Sequence, residues 1–181
     1  MNEAKPDLLA LTYSHANPIN RPVTSPVTSP DLTSRALPIR VSNAPDSRFD
    51  GRDVYMMAIQ MSNLTSYSGH WILWYADRAA RESGLPPVAA PIAHRKVDPK
   101  YIASAVEDRV EGRVQLYCVI GRTGRVRSIE LLRGADERLN RSAEEALSKW
   151  EFYPATRNGQ PVDVDVVVEI PFVLPPPAPS K

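Results

Sequence analysis

Cysteine is nearly absent from this 181-residue chain: Cys118 is the only one, which excludes an internal disulfide and any zinc or iron–sulfur site built on several thiolates. A lone thiol fits any compartment. Glycine is scarce, at 8 residues against 18 prolines. Seven of those prolines precede Asp46 and four more lie between Pro175 and Pro179, so neither end reads as core. An excess of one charge is lacking too. Lys and Arg total 22 and Asp and Glu total 21, for a net charge of +1, so no global field favours nucleic acid, an anionic membrane or an acidic substrate. No stretch approaches the ~20 apolar residues that span a bilayer, and no basic end followed by an apolar run opens the chain. The expectation is a soluble chain without a visible signal peptide or anchor.

Aromatic residues are missing from residues 14–47, and the duplication Val23-Thr-Ser-Pro26, Val27-Thr-Ser-Pro30 sits in the middle of that stretch. Such a segment cannot bury enough apolar area to offset its ordering entropy, which predicts a disordered, extended linker over residues 1–48. Composition changes at Phe49. Val54, Tyr55, Met56, Met57, Ile59 and Met61 lead to Ser62-Asn63, and Trp71-Ile-Leu-Trp74-Tyr75 follows Gly69. Two apolar runs about a Ser, Asn and Gly turn predict a pair of strands, giving an accessory β segment over residues 49–83. A short helix over 76–83, stopped by Gly84, is expected to close it, and Pro86, Pro87 and Pro91 mark a second linker over 84–96.

The last third is the most legible. Asp98 is placed to cap a helix with Pro99 in its first turn, along which Tyr101, Ile102, Ala105, Val106 and Val110 recur on one face before Gly112. Residues 113–120 alternate, with Val114, Leu116, Cys118 and Ile120 on one side, and Gly121-Arg-Thr-Gly124 turns the chain into a second strand over 126–132. Val126 is out of phase with Ile129 and Leu131, which requires either a bulge or a strongly twisted strand. A second helix is predicted over 136–150, with Leu139, Ala143, Ala146, Leu147 and Trp150 as its apolar stripe and Asp136 and Asn140 as rival caps. After the Asn158-Gly159 turn, Val162, Val164, Val166, Val168, Ile170 and Phe172 alternate with Asp163, Asp165, Val167, Glu169 and Pro171, one long strand with one buried face. The order helix, strand, strand, helix, strand predicts an α+β domain: a three-stranded antiparallel sheet with both helices on one face. Its last strand is expected at an open edge, where Pro171 can lack a backbone donor without harm.

These residues also look familiar. Tyr101, Gly112-Arg-Val114, Ile120-Gly-Arg-Thr-Gly124-Arg-Val126, Leu139-Asn-Arg-Ser-Ala143 and above all Trp150-Glu-Phe152-Tyr-Pro154-Ala155-Thr-Arg-Asn158-Gly159-Gln-Pro161-Val162 resemble the C-terminal domain of TonB-family energy transducers. The resemblance covers residues 97–174, leaving a Pro-rich tail at 175–181, and its structural motif is Trp150, Phe152, Pro154, Ala155, Asn158, Gly159, Pro161 and Val162. It implies a non-enzymatic periplasmic interaction domain without a cofactor. Members of that family are anchored in the inner membrane, cross the periplasm with a Pro-rich segment and pass proton-motive force to outer-membrane transporters, whose extended TonB box pairs with the domain's edge. Edge exposure and the resemblance together make Val164, Val166, Val167, Val168, Glu169, Ile170 and Phe172 the expected docking edge. The implied partners are outer-membrane TonB-dependent transporters and, through an anchor this sequence does not display, an inner-membrane proton-channel complex. Ile102 departs from the pattern, standing where the family usually has Pro after the Tyr. The competing reading is a soluble scaffold or sensor-associated docking module without energy transduction. Gly51-Arg-Asp-Val54 echoes Gly159-Gln-Pro161-Val162 faintly, but accessory strands of unrelated origin are the simpler reading of residues 49–83.

Other chemistry finds little support. His15, His70 and His94 are too scattered for a metal-ligand spacing, so no metal site is expected. Cys118 falls on the apolar side of a strand, where a thiol behaves as a small hydrophobe. Asp163, Asp165 and Glu169 share a strand face, and the expectation is a solvated sheet face rather than a pair of catalytic carboxylates. Gly121-Arg-Thr-Gly124 is too short for a phosphate loop. Arg122, Arg125, Arg127 and Arg133 make the hairpin basic, but Glu130 and nearby acids favour partner docking over nucleic acid. Trp71, Trp74, Met56, Met57 and Met61 read as core before they read as a ligand cleft.

Overall fold

The alternating run near the end of the chain forms a long strand, and the architecture is built outward from it. A computed structural model describes residues 39–61 and 70–174. The linker expected before residue 39, the turn at Ser62-Asn63 and Gly69, and the tail at 175–181 lie outside the described residues. In chain order the strands are β1 (Ile39–Val41), β2 (Val54–Gln60), β3 (His70–Asp77), β4 (Val88–Ala89), β5 (Ile92–Arg95), β6 (Gly112–Ile120), β7 (Val126–Arg133), β8 (Glu151–Tyr153), β9 (Thr156–Arg157), β10 (Gln160–Pro161) and β11 (Val164–Phe172). The helices are α1 (Ala103–Glu107) and α2 (Glu137–Ser148).

The main sheet has six strands in the order β1-β2-β3-β11-β6-β7, not the three expected. Every neighbouring pair is antiparallel. The expected three, β11, β6 and β7, are adjacent, and the hairpin β2–β3 extends them on the β11 side. Period-2 alternation explains the packing. Val164, Val166, Val168, Ile170 and Phe172 of β11 and Val114, Leu116, Cys118 and Ile120 of β6 point to one face and are essentially inaccessible there. That face packs against Leu139, Ala143 and Leu147 of α2 and Ala105 of α1. Burying each large apolar side chain is worth roughly 1.5 to 3 kcal/mol by area, an upper bound.

The opposite face was expected to be solvated and is partly covered instead. Phe49 lies in a 3-10 turn, Ser47–Phe49, capped by the Asp46 carboxylate accepting from Arg48 N at 2.9 Å. With Val54, Ala76, Tyr117, Val119 and Val167 it forms a second apolar cluster, so Val167 is buried. Residues 39–48, expected to be linker, therefore contribute an edge strand and a lid. The expected linker over 84–96 is also structured: β4 pairs with β9, β5 pairs with β8, and Val88 is 1% exposed.

Two expected helices changed form. Residues 76–83 do not form one: Ala76 and Asp77 finish β3, and the Asp77 carboxylate accepts from Ala79 N at 2.7 Å, which turns the chain. The helix expected from Asp98 shrinks to α1: Ile102 is still extended (φ −67°, ψ 133°), and the Lys100 carbonyl, inside the expected helix, accepts from Ser142 Oγ at 2.7 Å, while Val97 just before it accepts from Trp150 Nε1 at 2.8 Å. A left-handed residue, Arg109 at φ 53°, separates α1 from β6. In α2 the cap is Asp136, which accepts from Arg138 N, while Asn140 Oδ1 accepts from Ala135 N. The phase problem in β7 is a bulge: the β6–β7 register shifts twice and Ser128 has φ 55°. Asn158 (φ 48°) and Gly159 (φ 77°) make the hairpin turn between β9 and β10.

Candidate interaction surface

Each residue expected to form a docking edge lies on β11, and β11 is not an edge. On one side all nine of its residues pair with β6, from Val164 with Ile120 to Phe172 with Gly112. On the other, Val164 to Glu169 pair with Asp77 to Ile72 of β3. Val164, Val166, Val167, Val168, Ile170 and Phe172 are buried in the two clusters, and the Glu169 carboxylate accepts from Arg113 (2.5 Å) and Gln115 (2.8 Å). The place of a partner strand is taken by β3, whose Trp71-Ile-Leu-Trp-Tyr75 run lies along that side of β11.

That strand is held by more than backbone pairing. Trp71 stacks on Trp150 with ring centroids 4.7 Å apart and an interplanar angle of 9°, and Leu73 and Tyr75 are inaccessible. Trp150 in turn touches Phe152 at 5.8 Å between centroids. The rest of the structural motif surrounds this point. Ala155 is buried and its carbonyl accepts from Val162 N at 2.9 Å, Pro154 and Val162 are half-buried, Asn158 and Gly159 turn the chain, and Pro161 is exposed on β10.

The sheet ends instead at β1 and β7. The β7 edge is bulged at Ser128 and carries exposed Arg127, Glu130 and Arg133, devices that discourage a further strand. Among the described residues the β1–β2 edge has no bulge, β2 carries no charge over Val54–Gln60, and β1 covers only Val54, Tyr55 and Met56. Ile39, at 62%, is among the most exposed large apolar residues described.

A polar network on the second face was not legible in the sequence. Asp165, expected in solvent, is 6% exposed, and its carboxylate accepts from Arg52 Nη1 (2.7 Å), Arg78 Nη1 (2.6 Å) and the Tyr117 hydroxyl (2.8 Å). Burial and the neighbouring Asp165 raise the Tyr117 phenol above its ordinary value, and the Tyr117 hydrogen bond and Asp165 raise the Arg78 guanidinium. Arg52 and Arg78 come from segments far away in sequence, so only the strand pairing brings them to Asp165. Asp163, by contrast, accepts from Arg122 N at 2.8 Å and Arg127 at 2.9 Å and organises the β6–β7 turn. Burial pushes the Cys118 thiol up to about 12, which makes it a poor nucleophile. His70 starts β3, and His94 on β5 lies 4.7 Å from the Tyr153 ring.

Residues 97–174, somewhat under half of the chain, match the model of the Gram-negative bacterial TonB protein C-terminal family. No curated protein matches the chain. Among solved structures, the solution NMR structure of the Pseudomonas aeruginosa TonB C-terminal domain is similar at 26% identity and a TM-score of 0.41, covering 50% of this chain and 90% of that one. The segment the family describes begins where Val97 accepts from Trp150 and ends just beyond β11; residues 97–174 are a TonB C-terminal domain.

Proposed function

We propose that the chain is a periplasmic protein-interaction module that engages extended segments of outer-membrane TonB-dependent transporters and supports transport driven by the proton-motive force. The observation that carries this reading is the TonB C-terminal domain at residues 97–174, a family whose members take part in TonB-dependent transport in Gram-negative bacteria. Strand addition supplies affinity through backbone pairing with little demand on side chains, which suits a domain serving several transporters. With β11 paired on both sides, the reading assigns docking to the β1–β2 edge, the less protected of the two ends of the sheet.

The test is a titration of the ¹⁵N-labelled full chain with short peptides from the N-terminal plug segments of such transporters. Shifts concentrated in the amides of residues 39–41 and 57–60 are expected, with weak affinity because the peptide loses roughly 2 to 5 kcal/mol in ordering. Shifts in β11 instead would mean that β3 gives way to the peptide. A spectrum unchanged by every peptide overturns the transporter reading and leaves a scaffold or sensor-associated docking module, in which the same fold binds without energy transduction.

A further inference from the structure

On the sheet face opposite the helices, a cavity of about 430 Å³ opens to solvent, lined by Arg48, Asp50, Arg52, Arg78, Arg81, Tyr117 and Asp165. It is assembled from three parts of the chain: the turn before β2, the loop after β3, and the strands β6 and β11. Four guanidiniums meet two carboxylates there. Asp165 bonds both Arg52 and Arg78 and can neutralise only one of them, while Arg52 has 8% of its side chain exposed and donates from Nη2 to Arg48 O. Arg48 lies 4.5 Å over the Tyr117 ring and pairs with Glu130 outside the cavity at 2.7 Å. Among the described residues Arg81 has no ion pair.

Arg78 decides what such a cavity would take. It spends Nη1 on both of its bonds, to Tyr117 Oη (3.0 Å) and Asp165 Oδ1 (2.6 Å), so the Nε–Nη2 edge of its fork carries no bond among the described residues. A guanidinium held rigid at one nitrogen with its other edge open fits two oxygens of one anion. We infer that this cavity is a binding site for an oxyanion, a carboxylate or phosphate group received by the open edge of Arg78 with Arg81 closing over it. The inference is independent of the transporter reading, since it uses neither the β1–β2 edge nor any peptide.

The test follows the Arg Nε–Hε signals and backbone amides of the ¹⁵N-labelled full chain during titration with sodium phosphate, sodium acetate or sodium chloride at constant ionic strength. Saturable shifts at Arg78 Nε–Hε and in the amides of residues 78–81 are expected with phosphate or acetate and not with chloride. Phosphate acting alone identifies a phosphate ligand, and acetate acting alone a carboxylate. Arg81→Ala, a change at an exposed side chain, should raise the half-saturation concentration at least fivefold with the melting temperature unchanged. Arg78→Lys keeps the charge, loses the fork and should weaken binding about tenfold. Equal responses to all three salts, or an Arg81→Ala variant that titrates like wild type, overturns the site.

Discussion

Trp71→Ala should unfold more than the hairpin that carries it. Trp71 lies outside residues 97–174, yet it is 1% exposed and stacked on Trp150 inside the family domain. Truncating a buried aromatic of this size costs about 3 to 5 kcal/mol, and a stacked pair contributes ~0.5 to 1.5 kcal/mol beyond its area. Against a total stability of ~5 to 15 kcal/mol, that is a large fraction. A domain of this size loses roughly 2 to 4 °C per kcal/mol, so the melting midpoint followed by circular dichroism should fall by roughly 6 to 20 °C. Trp150→Ala should do the same, because both rings fill one place in the core. The double variant should lose less than the two single losses added together, since each truncation leaves the other ring without its partner. A Trp71→Ala protein melting within 2 °C of wild type, or strict additivity in the cycle, would refute the claim that β3 is part of the family domain's core.

Three further outcomes follow from the same geometry. Val167→Pro should unfold the domain at a cost of about 3 kcal/mol or more, read by urea denaturation, because Val167 lies on an interior strand between Trp74 and Tyr117, so its N–H points at a paired strand rather than at solvent. A stable variant would mean that β11 is not an interior strand at Val167. Gly124→Ala should destabilise strongly: Gly124 has φ 79°, and a Cβ would lie 1.7 Å from Phe152 O, so the Phe152 N–H bond to Gly124 O would be broken. A melting curve like that of wild type would contradict this contact. Cys118 should resist iodoacetamide in the native protein at pH 8, where a thiol of pKa about 12 is ionised only to roughly one part in ten thousand, and react promptly in urea. Fast native labelling would show that β6 opens.

What the sequence made legible was periodic and local. The α2 stripe, the alternation of β6 and β11 and the Asn158-Gly159 turn each rest on neighbours within one element, and each lies where periodicity puts it. The edge assignment of β11 failed because strand order is non-local. Nothing in Val164–Phe172 announces that Trp71, Leu73 and Tyr75 will pair beside it, and Pro171 is tolerated because the β3 pairing has ended at Glu169. The charged network failed for a related reason. Asp165 reads as solvated on its own strand and becomes buried only when Phe49 and Arg52 are laid over it. The helix at Asp98 was a local signal outweighed by tertiary contacts, among them the Lys100 carbonyl taken by Ser142.

The pairing of β3 with β11 also sets an order of events during synthesis. Its partners lie 87 positions apart at Asp77 and Val164 and 97 apart at Ile72 and Glu169. At roughly 5 to 20 residues per second, β3 leaves the ribosome about 4 to 20 seconds before the strand that completes its backbone pairing. During that interval the Trp-Ile-Leu-Trp-Tyr run has only β2 beside it, and a two-stranded hairpin is marginal in water. The waiting strand is the aggregation-prone part of the nascent chain. Long-range pairing of this kind also folds slowly, because the loop must close before any of its contacts form. A holding chaperone that binds extended apolar segments would therefore meet the runs at residues 54–61 and 71–75 before the family domain exists for it to protect.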